Sequence, residues 1–82
     1  MKGSPRLQWA AVSGASYYNV QVFRIVGRKR VAISWPHTTS YTVPRSKLVK
    51  GKTYVWYVWP GFGKLADAHY GKLIGHSTFA YR

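Results

Sequence analysis

Apolar residues recur at every second position through most of the chain, in short runs cut by glycine, proline and serine. Successive side chains of a strand point to opposite faces, so this period predicts half-buried β-structure. The first run is Pro5-Arg6-Leu7-Gln8-Trp9, with Leu7 and Trp9 facing inward. Ser13-Gly14-Ala15-Ser16 marks a turn, and Tyr17 to Val26 follows as a long strand. Tyr18, Val20 and Val22 share its inner face; Tyr17, Asn19, Gln21 and Phe23 share the outer one. Gly27 with Arg28 and Lys29 predicts a hairpin turn, Arg30 to Trp35 the returning strand, and Pro36 its end, because proline brings no N–H to a ladder. Ser40 to Val43 reads as a short strand stopped by Pro44. Thr53 to Trp59 is the strongest β segment, with Tyr54, Trp56 and Val58 alternating against Val55, Tyr57 and Trp59. Pro60-Gly61 is expected to break it. A long connection then runs from Gly61 to about His76, and Ser77 to Tyr81 forms the last strand.

Helix has little support. Lys64 to Leu73 carries Ala66 and Ala68, but Gly63, Gly71 and Gly75 bracket it, so a single turn is the most this segment predicts. No internal repeat or low-complexity tract is visible. At 82 residues the chain is long enough for one domain, spanning 1–82. A domain of this size buries only roughly 60% of its unfolded surface, which makes four Trp and seven Tyr important core material. There is no Cys, so packing and backbone hydrogen bonds must hold the fold without disulfides. No stretch reaches the roughly 18–20 apolar residues of a membrane-spanning helix. Met1-Lys2-Gly3-Ser4 lacks the apolar core of a secretion signal and reads as a trimmed or engineered boundary.

Charge changes the picture most. Thirteen Lys and Arg stand against one acid, Asp67, for a formal net charge of +12. Such a surface repels itself and attracts polyanions.

The order and spacing of several short patterns resemble a fibronectin type III domain over nearly the whole chain. Leu7-x-Trp9 and Gly14-Ala15-Ser16-Tyr17-Tyr18-x-Val20-x-Val22 are similar to that family's second and third strands. Thr39-Ser40-Tyr41-Thr42-Val43 resembles the fifth, Leu48-x-x-Gly51-x-x-Tyr54-x-Trp56-x-Val58 the approach to the sixth, and Ser77-Thr78-Phe79 the seventh. The resemblance implies an all-β fold: a two-sheet antiparallel β-sandwich of about seven strands, with the first short or missing. It also implies structural roles for Trp9, Tyr54 and Trp56. Tyr54 would pack across the inter-sheet corner with its hydroxyl bonded to backbone a few residues upstream, and Gly51 would supply a positive φ before it. The family's third and sixth strands are neighbours in one sheet. The implied setting is an accessory module of a larger secreted or cell-surface protein, monomeric, binding a protein or glycan or serving as a spacer. Family modules also serve as engineered binding scaffolds. The short first strand, the long Gly61–His76 connection and the basic charge depart from the family pattern.

Chemistry of an enzyme is not expected. Paired carboxylates need two acids and the chain has one. Nothing in the sequence brings Asp67, a His and a Ser together as a triad. Gly61-x-Gly63-Lys64 lacks the spacing of a phosphate loop. No cofactor or metal site is assigned. His69, His76 and Asp67 are the nearest approach to a ligand set, and solvated loop histidines are the better account of them.

Binding is better supported. The expected outer face carries Tyr17, Phe23, Val55, Tyr57 and Trp59, and Phe62 and Tyr70 lie in the adjoining connection. Tyr17, Phe23, Tyr57, Trp59, Phe62 and Tyr70 are therefore candidates for gripping a protein or stacking on sugar rings. The alternative is that the connection folds back over this face through Phe62, Leu65, Tyr70, Leu73 and Ile74, leaving the aromatics to stabilise the sheet. Family loops near Ala11–Ser16 and Trp35–Ser40 would add contacts at one end. The basic candidates for weak, salt-sensitive binding to nucleic acid or an anionic cell-wall polymer are Arg28, Lys29 and Arg30 on the hairpin. Lys47, Lys50 and Lys52, with Arg45, join them from the connection before the strong strand.

Overall fold

A computed structural model describes residues 5–64 and 69–81. The chain is all-β, with six strands among the described residues: β1 (Arg6–Gln8), β2 (Tyr17–Arg24), β3 (Lys29–Ser34), β4 (Ser40–Thr42), β5 (Thr53–Gly61) and β6 (Gly75–Ala80). A 3-10 turn, Arg45–Lys47, follows β4. Every pairing is antiparallel. A two-stranded sheet, β1-β4, accompanies a four-stranded sheet in the order β3-β2-β5-β6. The strands match the alternating runs closely because a period of two leaves only one register that buries the apolar set.

One core joins the sheets. Leu7 of β1 and Val43 meet Tyr18, Val20, Val22, Ala32, Tyr54 and Val58 of the larger sheet, and Leu48 and Tyr81 close its lower end. Val20, Val22, Val43, Tyr54 and Val58 are fully buried. Trp9 and Trp56 are half-buried against this cluster with ring centroids 6.2 Å apart, and Trp9 meets Tyr18 edge-on at 5.6 Å. β2 and β5, the strands expected to be neighbours, pair from Tyr17↔Gly61 to Arg24↔Tyr54.

Tyr54 is placed as its sequence context implies. Its hydroxyl accepts a hydrogen bond from the Val49 N–H at 2.7 Å, its ring stacks on Phe79 at 5.4 Å, and Gly51 has φ +83°. Tyr54→Phe keeps the ring and removes only that bond, so it should lower stability by about 1 kcal/mol. Urea denaturation midpoints of the two proteins check this, and coincident midpoints would reject the tie. Tyr18 makes a parallel one: its hydroxyl accepts from the Val12 N–H at 3.0 Å.

Three expectations need correction. First, Pro60-Gly61 does not break the strong strand; both residues belong to β5. The Tyr18 N–H donates away from β5, to the Pro36 carbonyl, which makes Tyr18↔Pro60 a non-hydrogen-bonded pair. Proline's missing N–H then falls on the side where β6 has already ended, so no ladder bond is lost. Second, the connection after Gly61 is less open than its length implies. Phe62 donates to His69 O, Gly71 to Pro60 O and Ile74 to Val58 O, which lays this segment along the edge of β5 and into β6. The last strand accordingly starts at Gly75. Third, Tyr17 faces outward by alternation but is only 1% exposed. The expected helical turn, and Leu65 and Asp67 with it, falls largely on 65–68, outside the described residues.

Candidate functional site

The outer face of the four-stranded sheet, away from the core, carries a continuous row of rings. Antiparallel register puts Gln21 beside Tyr57 and Tyr57 beside His76, while Phe23 pairs with Val55 and Asn19 with Trp59. Tyr57 is the centre of the row. It meets Phe23 edge-on at 5.8 Å, stacks on Trp59 at 6.0 Å and lies beside the His76 ring at 5.7 Å. Phe23, Tyr57 and Trp59 are half-buried by one another, and His76 is exposed. The polar members of this face are internally satisfied. Asn19, buried, donates to Ser34 O at 3.2 Å and accepts from the Gln21 side-chain amide at 2.7 Å.

The six aromatic candidates therefore divide. Phe23, Tyr57 and Trp59 come together on the open face. Tyr17 and Tyr70 form a separate cluster at the upper end, where their rings meet edge-on at 5.9 Å. Tyr17 lies against Gly61, the residue opposite it on β5, because a glycine leaves room for the ring. His37 flanks it at 6.5 Å, and Trp35 donates its indole N–H to the Tyr70 hydroxyl at 3.1 Å. Tyr17 is thus a packing residue and not part of an accessible face. Tyr70 and Trp35 remain 41% exposed at the loop end. Phe62 is half-buried against Gly71, where an added Cβ would come within 2.9 Å of its ring. Among the described residues, Tyr70 of the connection packs on Tyr17, and His76, the second residue of β6, lies beside Tyr57.

At its lower end the aromatic row opens into a groove of about 520 Å³. Phe23, Val55, Tyr57, His76 and Thr78 line it from the sheet, and Arg24, Ile25 and Arg28 from the β2–β3 hairpin. Arg24 was not singled out by sequence pattern, because alternation alone assigns it to the inner face. It reaches the groove at the strand end, where its Nε donates to Val26 O at 3.2 Å and its side chain passes Gly27. A register shift between Val22 and Phe23 leaves Val31 as the extra residue on β3, which raises local twist beside the groove.

The basic candidates also converge. Antiparallel pairing sets the β2–β3 hairpin, the 3-10 turn and the Lys50–Lys52 turn at the same end of the molecule. Ile25 N–H donates to Thr53 O there, and Gly51 N–H to Tyr81 O. Arg30 and Lys47 line a second groove of about 210 Å³ with Tyr41, whose phenol is pushed above its ordinary pKa by burial. Arg6, paired with Thr42 at the end of β4, belongs to this pole as well. Of the described Lys and Arg, only Lys64 and Lys72 lie elsewhere. The chain's one acid, Asp67, is outside the described residues, so no described carboxylate tempers this pole.

Of the metal candidates, Asp67 lies outside the described residues, His76 sits against Tyr57 and His69 stands in the connection; no trio of ligating side chains occurs among the described residues. No described helix is long and apolar enough to cross a membrane. No protein-family model matches this sequence, and no curated protein matches it significantly.

Proposed function

We propose that this chain is a non-catalytic interaction module of the fibronectin type III kind, working as an accessory unit of a larger secreted or cell-surface protein. Its binding surface is the outer sheet face around Tyr57, and a protein or glycan is its partner. The observation that carries this reading is the Phe23–Tyr57–Trp59–His76 row, which no described segment crosses. The core is built on the opposite face, and these rings lie outside it. Their planar faces suit apolar protein side chains or the C–H faces of sugars. The sheet order, the buried Tyr54 corner and the Trp9–Trp56 pair support the family likeness.

The test is a screen of glycans and candidate protein ligands at about 1 M salt, where the Debye length shrinks to about 3 Å and the charge of the chain is muted. A ligand retained by the parent protein and lost by Trp59→Ala is the expected result. Equal retention by both proteins would reject the face as the binding surface.

A second reading has its own support. The convergence of Arg28, Lys29, Arg30, Lys47, Lys50 and Lys52 on one pole favours salt-sensitive attachment to a polyanion. The two surfaces meet at the groove lined by Phe23, Tyr57 and Arg28.

A further inference from the structure

The groove where the aromatic row meets the basic pole has a chemistry that neither surface has alone. We infer that it binds single-stranded nucleic acid, with a base laid against Tyr57 and Phe23 and the adjoining phosphates held by Arg24 and Arg28. This goes beyond the protein or glycan partner proposed above: it keeps the open sheet face as the binding surface, rests on that surface, and names a different ligand for its lower end.

Three observations carry the inference. The groove floor is a sheet face bearing rings, the platform on which unpaired bases stack irrespective of sequence. Its rim is cationic on one side only. The Arg24 Nε donates to Val26 O within the hairpin, which leaves the other guanidinium N–H groups on the groove side free to meet a phosphate. Arg28, exposed, adopts φ +50°, a left-handed conformation that costs a branched or long side chain energy and that glycine adopts freely. Positive φ at both Gly27 and Arg28 is the geometry of the β2–β3 hairpin turn, and the Arg28 side chain lines the groove from it. Finally, about 520 Å³ falls in the usual ~300–1,000 Å³ range of ligand clefts.

Other occupants fit less well. A neutral glycan has partners in the rings, Thr78 and His76, but leaves the two guanidinium charges without an anion. A sulfated glycan answers the arginines, but only a nucleobase also brings a planar π face to the rings. Duplex DNA hides its bases from a sheet face.

Fluorescence anisotropy of labelled oligo(dT) of about 12 nucleotides, within the usual ~4–16-nucleotide footprint, tests this, with labelled heparin and an abasic strand of the same length as comparisons. The intact strand should bind more tightly than the abasic one. Tyr57→Leu, which keeps an apolar side chain on the sheet, should weaken oligo(dT) binding roughly 5- to 100-fold and leave heparin binding unchanged. Arg28→Gly should weaken oligo(dT) binding while raising the thermal midpoint, because it removes a charge and relieves the backbone together. Equal affinity for intact and abasic strands, or equal loss of heparin and oligo(dT) on Tyr57→Leu, would overturn the inference. If oligo(dT) fails these tests while the salt-resistant, Trp59-dependent ligand persists, only the nucleic acid is rejected; if that ligand is missing too, the open-face reading falls with it.

Discussion

Gly61→Ala should destabilise this protein by about 3 kcal/mol and lower its thermal midpoint by roughly 15 °C. The residue sits in β5 opposite Tyr17, whose ring lies directly on the glycine. A Cβ there would overlap the ring atoms outright, and Tyr17 is too enclosed to swing aside without losing its burial. Overpacking of this kind costs about 1–3 kcal/mol, and exposing part of a large buried side chain adds about 1 more. Against a total stability of about 4–12 kcal/mol for a chain of this length, the loss is a large share. Gly75→Ala is the matched control. It lies in β6, its φ is not positive, and an added Cβ meets nothing within 4 Å. Its effect should stay within about 0.5 kcal/mol. Differential scanning calorimetry on the two variants decides the matter, and similar midpoints would show that Tyr17 does not depend on Gly61.

The second large effect concerns the basic pole. If Arg28, Lys29, Arg30, Lys47, Lys50 and Lys52 each neutralise a phosphate, affinity for duplex DNA should fall about 10³-fold between about 50 and about 200 mM salt. The cause is release of condensed counterions, which becomes less favourable as bulk salt rises. Changing Lys47, Lys50 and Lys52 together to Gln should reduce the slope of log affinity against log salt by about 3. These side chains are exposed and lie on or beside turns, so the fold should be retained, and relief of like-charge repulsion should leave stability equal or higher. Isothermal titration across a salt series measures the slope. An affinity indifferent to salt, or a slope unchanged by the triple substitution, would reject the pole as a polyanion site. An uncharged ligand held by the aromatic row alone is indifferent to salt, so the salt series separates such a ligand from one held by the pole.

The local β-structure was legible because it rests on local physics. Alternation from Tyr17 to Arg24 and from Thr53 to Trp59 fixed which side chains turn inward, and Val20, Val22, Tyr54 and Val58 are buried accordingly. The link from Tyr54 to the backbone at Val49 spans only a few residues, so the pattern around it carried the information. The break expected at Pro60-Gly61 failed for a tertiary reason. Whether proline ends a strand depends on which side its missing N–H faces, which the register with β2 sets, and on whether a strand runs there; β6 reaches only as far as Val58.

The candidate site was legible in part for the same reason. Alternation correctly put Phe23, Tyr57 and Trp59 on one outer face, yet it put Tyr17 there too. Burial of Tyr17 comes from Gly61, His37 and Tyr70, which are distant in sequence. Arg24 was missed because a strand-end side chain follows the hairpin it packs on more than the pleat. By itself, then, the sequence determined an all-β chain, the identity of its inward residues, and a surface almost without acids, since each of these follows from residue type and near-neighbour spacing. Only the tertiary structure decided which rings stay open, that the cations of separate turns share one pole, and that the two surfaces meet in a groove. Those facts depend on strand order and register, which bring together residues that nothing in the linear pattern connects.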